Sequence, residues 1–211
     1  MAELNLPHRV RLPDSTTSPA PAVVMVHGWL GDENVMWIFE NTLPKSVVAV
    51  SPRAPFFIDE AQKGFGWYLN RKDSESFRQG LNALHDFVTG LPAAYPVHPA
   101  RIVLMGFSQG AAMCYALMLE HPEATAAVAG LAGFIPEAAT PWLAPGRLSG
   151  KSVFIAHGLE DETVSIEEAA RAREALSQCG ADVEYHEYAA GHKLSAQGMR
   201  DLKAWLAREV G

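Results

Sequence analysis

Short apolar runs alternate with segments of helical period along the whole chain, and that alternation leaves few folds open. The runs occupy residues 8–12, 22–27, 47–51, 102–105, 126–131, 152–156 and 183–188. Several are β-branched and apolar on both parities, the pattern of strands covered on both faces of a parallel sheet. Between them, Phe77, Leu81, Leu84, Phe87 and Val88 recur at helical spacing, with Gly90 and Pro92 marking an expected end. Ser165 and Glu168 read as a capping box that opens a helix toward Gln178, and Gly180 as its stop. A last helix carries Leu202, Trp205 and Leu206 on its inner side. Strand, helix, strand, helix predicts an α/β fold: a doubly wound, mostly parallel sheet of about seven strands, in a single domain over residues 1–211.

Composition narrows the function classes. With 17 Lys+Arg against 24 Asp+Glu, a net charge of −7 and no basic run, the chain is not built to grip a phosphate backbone, so no nucleic-acid partner is expected. The longest nearly apolar stretch, 124–135, falls well short of the roughly 20 residues a membrane helix needs, so stable membrane insertion is not expected. The opening MAELNLPHRVRLP has neither the basic nor the apolar region of a secretory signal. Cys114 and Cys179 make no framework and no C-x-x-C pair, which suits a reducing, cytoplasmic setting. Two connections, 52–73 and 133–150, exceed the usual loop length. The first is rich in aromatics (Phe56, Phe57, Phe65, Trp67, Tyr68) and reads as a wall of a binding site. Neither leaves room for a cap domain, which predicts an open, shallow site.

The sharpest local signal is Gly106-Phe107-Ser108-Gln109-Gly110. G-x-S-x-G arises by chance in roughly one chain in ten of this length, given about 7 % glycine. Here it follows the strand RIVLM and opens the helical run AAMCYALMLEH, the strand–turn–helix setting of a nucleophile elbow. A serine hydroxyl is a weak nucleophile and needs a base, which in turn needs an orienting acid. In an α/β-hydrolase these follow in the order Ser, Asp/Glu, His, each just after a later strand. The strand SVFIA runs into His157-Gly158-Leu159-Glu160-Asp161-Glu162, and VEYHEY runs into Ala189-Ala190-Gly191-His192. His192 stands at the base position, and Asp161 at that of the acid, with Glu160 and Glu162 as rivals. The loop His27-Gly28-Trp29-Leu30-Gly31-Asp32 after AVVMV would supply one oxyanion donor and the residue after the serine another. The amides named are those of Trp29 and Gln109, with Leu30 as fallback for the first.

These motifs together, G-F-S-Q-G-A, H-G-x-x-D-x-x-V, the G-H near the end and the early H-G-x-x-x-D, resemble the phospholipase/carboxylesterase family, relatives of acyl-protein thioesterases. They span residues 27 to 192 in that family's order. The resemblance selects Asp161 and implies a Ser108–Asp161–His192 triad with Trp29 and Gln109 as oxyanion donors. It also aligns Trp67-Tyr68 with the family's Trp-aromatic pair beside the acyl site. Trp29 departs from the leucine many relatives carry there. The implied activity is hydrolysis of carboxylic esters through an acyl-enzyme, needing no cofactor and no metal. Alternatives are an acyl-protein or other thioesterase and, from another class, a binding protein that keeps the fold without turnover. The expected substrate is a small or lipid-like acyl ester, with Leu30, Phe65, Trp67, Phe134 and Leu194 lining its site and a monomer or homodimer as the working form.

Competing patterns are weaker. Residues 146–152 imitate a phosphate loop, but Pro145 replaces its first glycine and a strand follows where a helix must. His186 and His192 are six apart on a strand, not four on a helix, so they are no zinc pair. Gly64-Phe65-Gly66 lacks the third glycine of a dinucleotide turn. His27 and His157, each at a strand end beside glycine, read as structural hydrogen-bonding residues.

Overall fold

A computed structural model of the chain describes residues 3–14, 19–59 and 64–211. Residues 1–2, 15–18 and 60–63, the last within the long connection 52–73, lie outside the described residues. In chain order the strands are β1 His8–Arg11, β2 Ala20–Val26, β3 Val48–Pro52, β4 Phe56–Asp59, β5 Gly64–Gly66, β6 Val97–Phe107, β7 Ala127–Leu131, β8 Ser152–Gly158 and β9 Asp182–Tyr188. The α-helices are α1 Ser74–Ala94, α2 Gln109–Glu120, α3 Ile166–Gln178 and α4 Ala196–Val210.

Seven strands form one sheet in the order β1-β3-β2-β6-β7-β8-β9. Only β1 runs antiparallel, to β3; the other pairings are parallel. Every residue of β2, β3 and β7 is buried, as their two-parity apolar sequences require. Alternate side chains feed two cores. Val24, Leu104, Val128 and Ile155 pack with α1, α2 and α3 on one face. Val23, Met105, Ala129 and Phe154 pack on the other with α4 and a 3-10 helix at Val35–Thr42. The chain therefore winds on both faces, and the described residues form no cap over the carboxyl ends. It steps from β2 outward to β3, then returns to β6 on the other side of β2. That reversal opens a crevice at the carboxyl ends of β2 and β6, where open α/β sheets bind their ligands.

Four local expectations need correction. The connection 52–73 is not plain loop: β4 and β5 pair antiparallel in it, Phe57 opposite Phe65, and Phe65 donates to the Gly31 carbonyl at 3.0 Å. Helix α1 runs through Gly90 and Pro92 to Ala94. Leu91 and Ala94 extend its buried stripe, and burying them outweighs the one hydrogen bond that a proline in the last turns removes. The Ser165–Glu168 capping box does not close. The Glu168 amide donates to the Ser165 carbonyl at 3.0 Å, and its carboxylate lies 3.2 Å from Arg171. Strand β6 starts at Val97, five residues before its apolar run; its pairing with β2 shifts register between Ala20 and Ala22, near Pro99. Gly180 does end α3 as expected, at φ +92°.

Candidate active site

The buried run Val103–Met105 of β6 fixes the direction in which the chain enters its turn. Ser108 sits on that turn with φ 53° and ψ −117°, a region L-residues rarely occupy. Its backbone is pinned from both sides, the amide donating to Leu131 at 2.8 Å and the carbonyl accepting from Ala112 at 3.1 Å. The flanking glycines are steric necessities. A Cβ on Gly106 would stand 2.4 Å from the Gly110 carbonyl oxygen, and one on Gly110 would stand 2.1 Å from that of Val26. Helix α2 thus crosses the end of β2 in backbone contact, buried along almost its whole length.

Strand β8 leads into the loop of Asp161, the expected acid. Asp161 has a fully buried carboxylate: Oδ1 accepts from the amides of Thr163 and Val164, both at 2.9 Å, and Oδ2 from His192 Nδ1 at 2.7 Å. Burial pushes this carboxyl up, but the bonds from Val164, His192 and Thr163 together outweigh it and hold it below its ordinary value. The rival acids Glu160 and Glu162 are exposed. A Cβ on Gly158 would meet the Ala190 carbonyl oxygen at 2.2 Å, so this glycine lets the loop carrying His192 lie against the loop carrying Asp161. The two loops are joined by Leu159 N to Tyr188 O at 2.8 Å and Glu160 N to Ala190 O at 2.9 Å. His192 rests on the Phe107 ring at 5.0 Å, and its Nε2 has no protein partner among the described residues.

The two strand-end histidines are structural. His27 Nδ1 donates to Gly28 O at 2.7 Å while Nε2 accepts from the Ala54 amide at 3.0 Å, which fixes a neutral tautomer. Burial lowers the His27 pKa, against weaker opposing contributions from Gly28, Asp32 and Glu33. His157 Nε2 donates to Val164 O at 2.8 Å and lies 3.3 Å from Asp161 Oδ2, so it steadies the acid loop from below.

The loop after β2 closes on the serine because Gly28 has no side chain; a Cβ there would stand 3.3 Å from Ser108 Cβ. Leu30 adopts φ 62° in this loop. Among the described residues, neither the Trp29 nor the Gln109 amide donates to a protein acceptor, so both N–H groups remain open near Ser108.

The expected lining separates. Leu30 and Leu194 border an apolar cleft of about 610 Å³ with Met36, Ile38, Phe39 and Met199, and Ser108 and His192 lie on its wall. Phe134 lines a second hollow of about 340 Å³ that also borders Ser108, with Tyr68, Arg71 and Thr163. Trp67 lines neither, contrary to expectation: it is fully buried. Its indole N–H donates to His27 O at 2.9 Å and its amide to Gln109 Oε1 at 2.8 Å, while Gln109 Nε2 donates to Tyr68 O at 2.9 Å. Trp67 therefore braces the loop after β2 against the start of α2. Phe65 also misses the cleft, packing under the Arg53 guanidinium and against Phe57. The 3-10 helix after the β2 loop closes the cleft on that side: V-M-W-I-F has no polar face, and Ile38 is left 72 % exposed at the cleft. A hollow of about 690 Å³ between the N-terminal segment and Tyr95 holds none of these groups.

Comparisons with known proteins identify the family and the fold. A family profile described as Phospholipase/Carboxylesterase matches residues 10–209. "Probable carboxylesterase SOBER1-like" from Arabidopsis thaliana is 27 % identical over 84 % of this chain and 68 % of its own. "Acyl-protein thioesterase 1" from Debaryomyces hansenii is 25 % identical over 91 % of this chain and 93 % of its own. Among solved structures, the Bacillus cereus carboxylesterase superposes with a TM-score of 0.85 at 22 % identity, covering 97 % of this chain and 95 % of that one.

Proposed function

The chain belongs to the phospholipase/carboxylesterase family, and on that premise we propose a serine hydrolase that cleaves carboxylic esters or thioesters through an acyl-enzyme, residues 1–211 acting as one α/β-hydrolase domain. One observation carries the assignment of the site. A strained Ser108 shares a cleft with His192, whose far nitrogen is held at 2.7 Å by a buried Asp161 carboxylate.

In the proposed cycle Ser108 Oγ attacks the acyl carbon as His192 Nε2 takes its proton. Asp161 keeps the proton on Nδ1 and stabilises the imidazolium that forms. Ser108 and His192 make no direct hydrogen bond here, and such pairs commonly tighten only around substrate. The amides of Trp29 and Gln109 receive the oxyanion, each worth roughly 3 kcal/mol in comparable sites. His192 then protonates the departing alcohol or thiol and next activates the water that frees the acid. Relatives named a probable carboxylesterase and an acyl-protein thioesterase support both the ester and the thioester reading. Two buried free thiols, Cys114 and Cys179, fit the proposed reducing compartment, and no described helix is long and apolar enough to cross a membrane.

A fluorophosphonate probe tests the core of the proposal. It should label one residue, Ser108, and labelling should vanish in Ser108→Ala while p-nitrophenyl ester turnover falls to background. A folded wild-type chain that neither labels nor turns over esters or thioesters would sink it.

A further inference from the structure

Two hollows meet at Ser108, and they differ in character. The apolar cleft carries His192. The smaller hollow does not; it holds Tyr68, Asn70, Arg71, Phe134 and Thr163 beside the serine. Through Tyr68, Arg71 and Phe134 it continues into an outer hollow of about 400 Å³ with Lys72, Arg171, Glu137 and Glu168. Three cationic side chains thus face two carboxylates along this arm, in a protein whose net charge is −7.

Arg71 is common to both parts. Its guanidinium lies 3.8 Å over the Phe134 ring, which fixes its plane without using its N–H groups. The nearest carboxylate, Glu168, is 3.7 Å away and sits closer to Arg171, at 3.2 Å. Arg71 makes no hydrogen bond to the protein among the described residues, and its side chain is 54 % exposed to solvent. A planar fork of donors held on an aromatic ring and bound to no protein acceptor at hydrogen-bond distance is suited to a carboxylate.

The position of His192 decides which half of a substrate reaches this arm. The leaving atom has to accept a proton from His192, so the leaving group belongs in the cleft that contains it. The acyl chain then extends past Ser108 into the hollow with Arg71. Resting on the serine-hydrolase reading above, we propose that Arg71 anchors the far end of the acyl group, and that the preferred substrates are half-esters of short dicarboxylic acids with an apolar leaving group. In the reaction the ester C–O bond breaks and the alcohol departs with the proton His192 took from Ser108. Water then cleaves the acyl-serine and the diacid leaves.

The test compares p-nitrophenyl hydrogen adipate with p-nitrophenyl hexanoate, background hydrolysis subtracted, as a ratio of kcat/KM. The wild type should favour the charged acyl group. Arg71→Met should lower the ratio on the order of 10- to 100-fold, Arg71→Lys should keep part of it, and added salt should shrink it. An acetyl ester of 4-hydroxybenzoate, which carries its charge on the leaving group, should show no comparable dependence on Arg71. Dependence appearing there instead would overturn the orientation. An active wild type indifferent to the acyl carboxylate, or a ratio unmoved by Arg71→Met, would overturn the subsite alone. A wild type inert on every ester and unlabelled at Ser108 would remove the hydrolase reading and the subsite with it.

Discussion

At Ser108 the backbone carries a cost that the fold does not need for its own sake. Its φ of 53° and ψ of −117° lie outside the regions open to an L-residue, a strain of about 1–3 kcal/mol. Leu30 at φ 62° and Ala132 at φ 50° share the left-handed side of the map, and all three follow the carboxyl ends of the neighbouring strands β2, β6 and β7. Strain gathered at one edge of the sheet is the mark of a site held in place by its surroundings. Ser108→Gly should therefore raise the unfolding midpoint, by about 1 kcal/mol of stability, while abolishing turnover; a melting curve beside an ester assay reads both. Asp161 yields a second prediction from its hydrogen bonds. In Asp161→Asn the oxygen can still accept from the Thr163 and Val164 amides, so the loop should hold. The amide nitrogen then faces His192 Nδ1 as a donor and drives the imidazole into the wrong tautomer. We expect kcat to fall roughly 10³- to 10⁴-fold with an unfolding midpoint close to wild type. A loss of rate matched by a loss of folded protein would refute that separation.

Between elements, the decisive contact is α2 against the end of β2. A Cβ on Gly110 would meet the carbonyl oxygens of Val26 and His27 at 2.1 and 2.5 Å, and backbone cannot rotate away as a side chain can. Gly110→Ala should cost about 3 kcal/mol or more, lowering the melting temperature by roughly 6–12 °C in a chain of this size. Gly150→Ala is the contrast: φ is +78° there but nothing lies within 4 Å, so only backbone strain of about 1 kcal/mol is expected. Equal losses in the two variants would show that close approach is not what Gly110 secures. The same contrast explains what could be read from the residues alone. The seven sheet strands, the elbow and the loops of Asp161 and His192 were legible because periodicity and chain order announce them. The place of Trp67 was not, since its indole and amide answer to His27 and Gln109, about 40 residues away in sequence. Pro92 hid the end of α1 because a local breaker says nothing about the burial of Leu91 and Ala94. In the same way, a four-residue β4 beside a proline gives too little pattern to separate a hairpin from a loop.

For the molecule as a whole, buried titratable groups set opposite limits on the pH range of stability. Burial depresses the His27 pKa, so the folded state favours the neutral ring. A depressed group contributes stability that is present above its ordinary value, near 6.5 here, and is lost as pH falls toward the folded value. Asp161 has the same sign lower down, where its hydrogen bonds outweigh burial: its contribution is lost as pH falls below about 3.8. Tyr68 has the other sign, its phenol pushed up to about 12 by burial, against smaller lowering effects from Arg71 and Gln109. Tyr115, Tyr185 and Tyr188 are raised as well, burial again the largest cause. Raised groups contribute stability that is intact below their ordinary value near 10 and fails as pH rises beyond it. Burial raises the Cys114 thiol as well, so its contribution begins to fail above about pH 9, and the unfolding midpoint should form a plateau between about pH 6.5 and 9, with a gradual acid slope and an alkaline fall. His27→Gln should lower the plateau, since it removes a doubly bonded buried ring, yet flatten the slope just below about pH 6.5. Thermal melts of both proteins across pH read this directly. An acid slope identical in His27→Gln and wild type would move the origin of that slope to other groups.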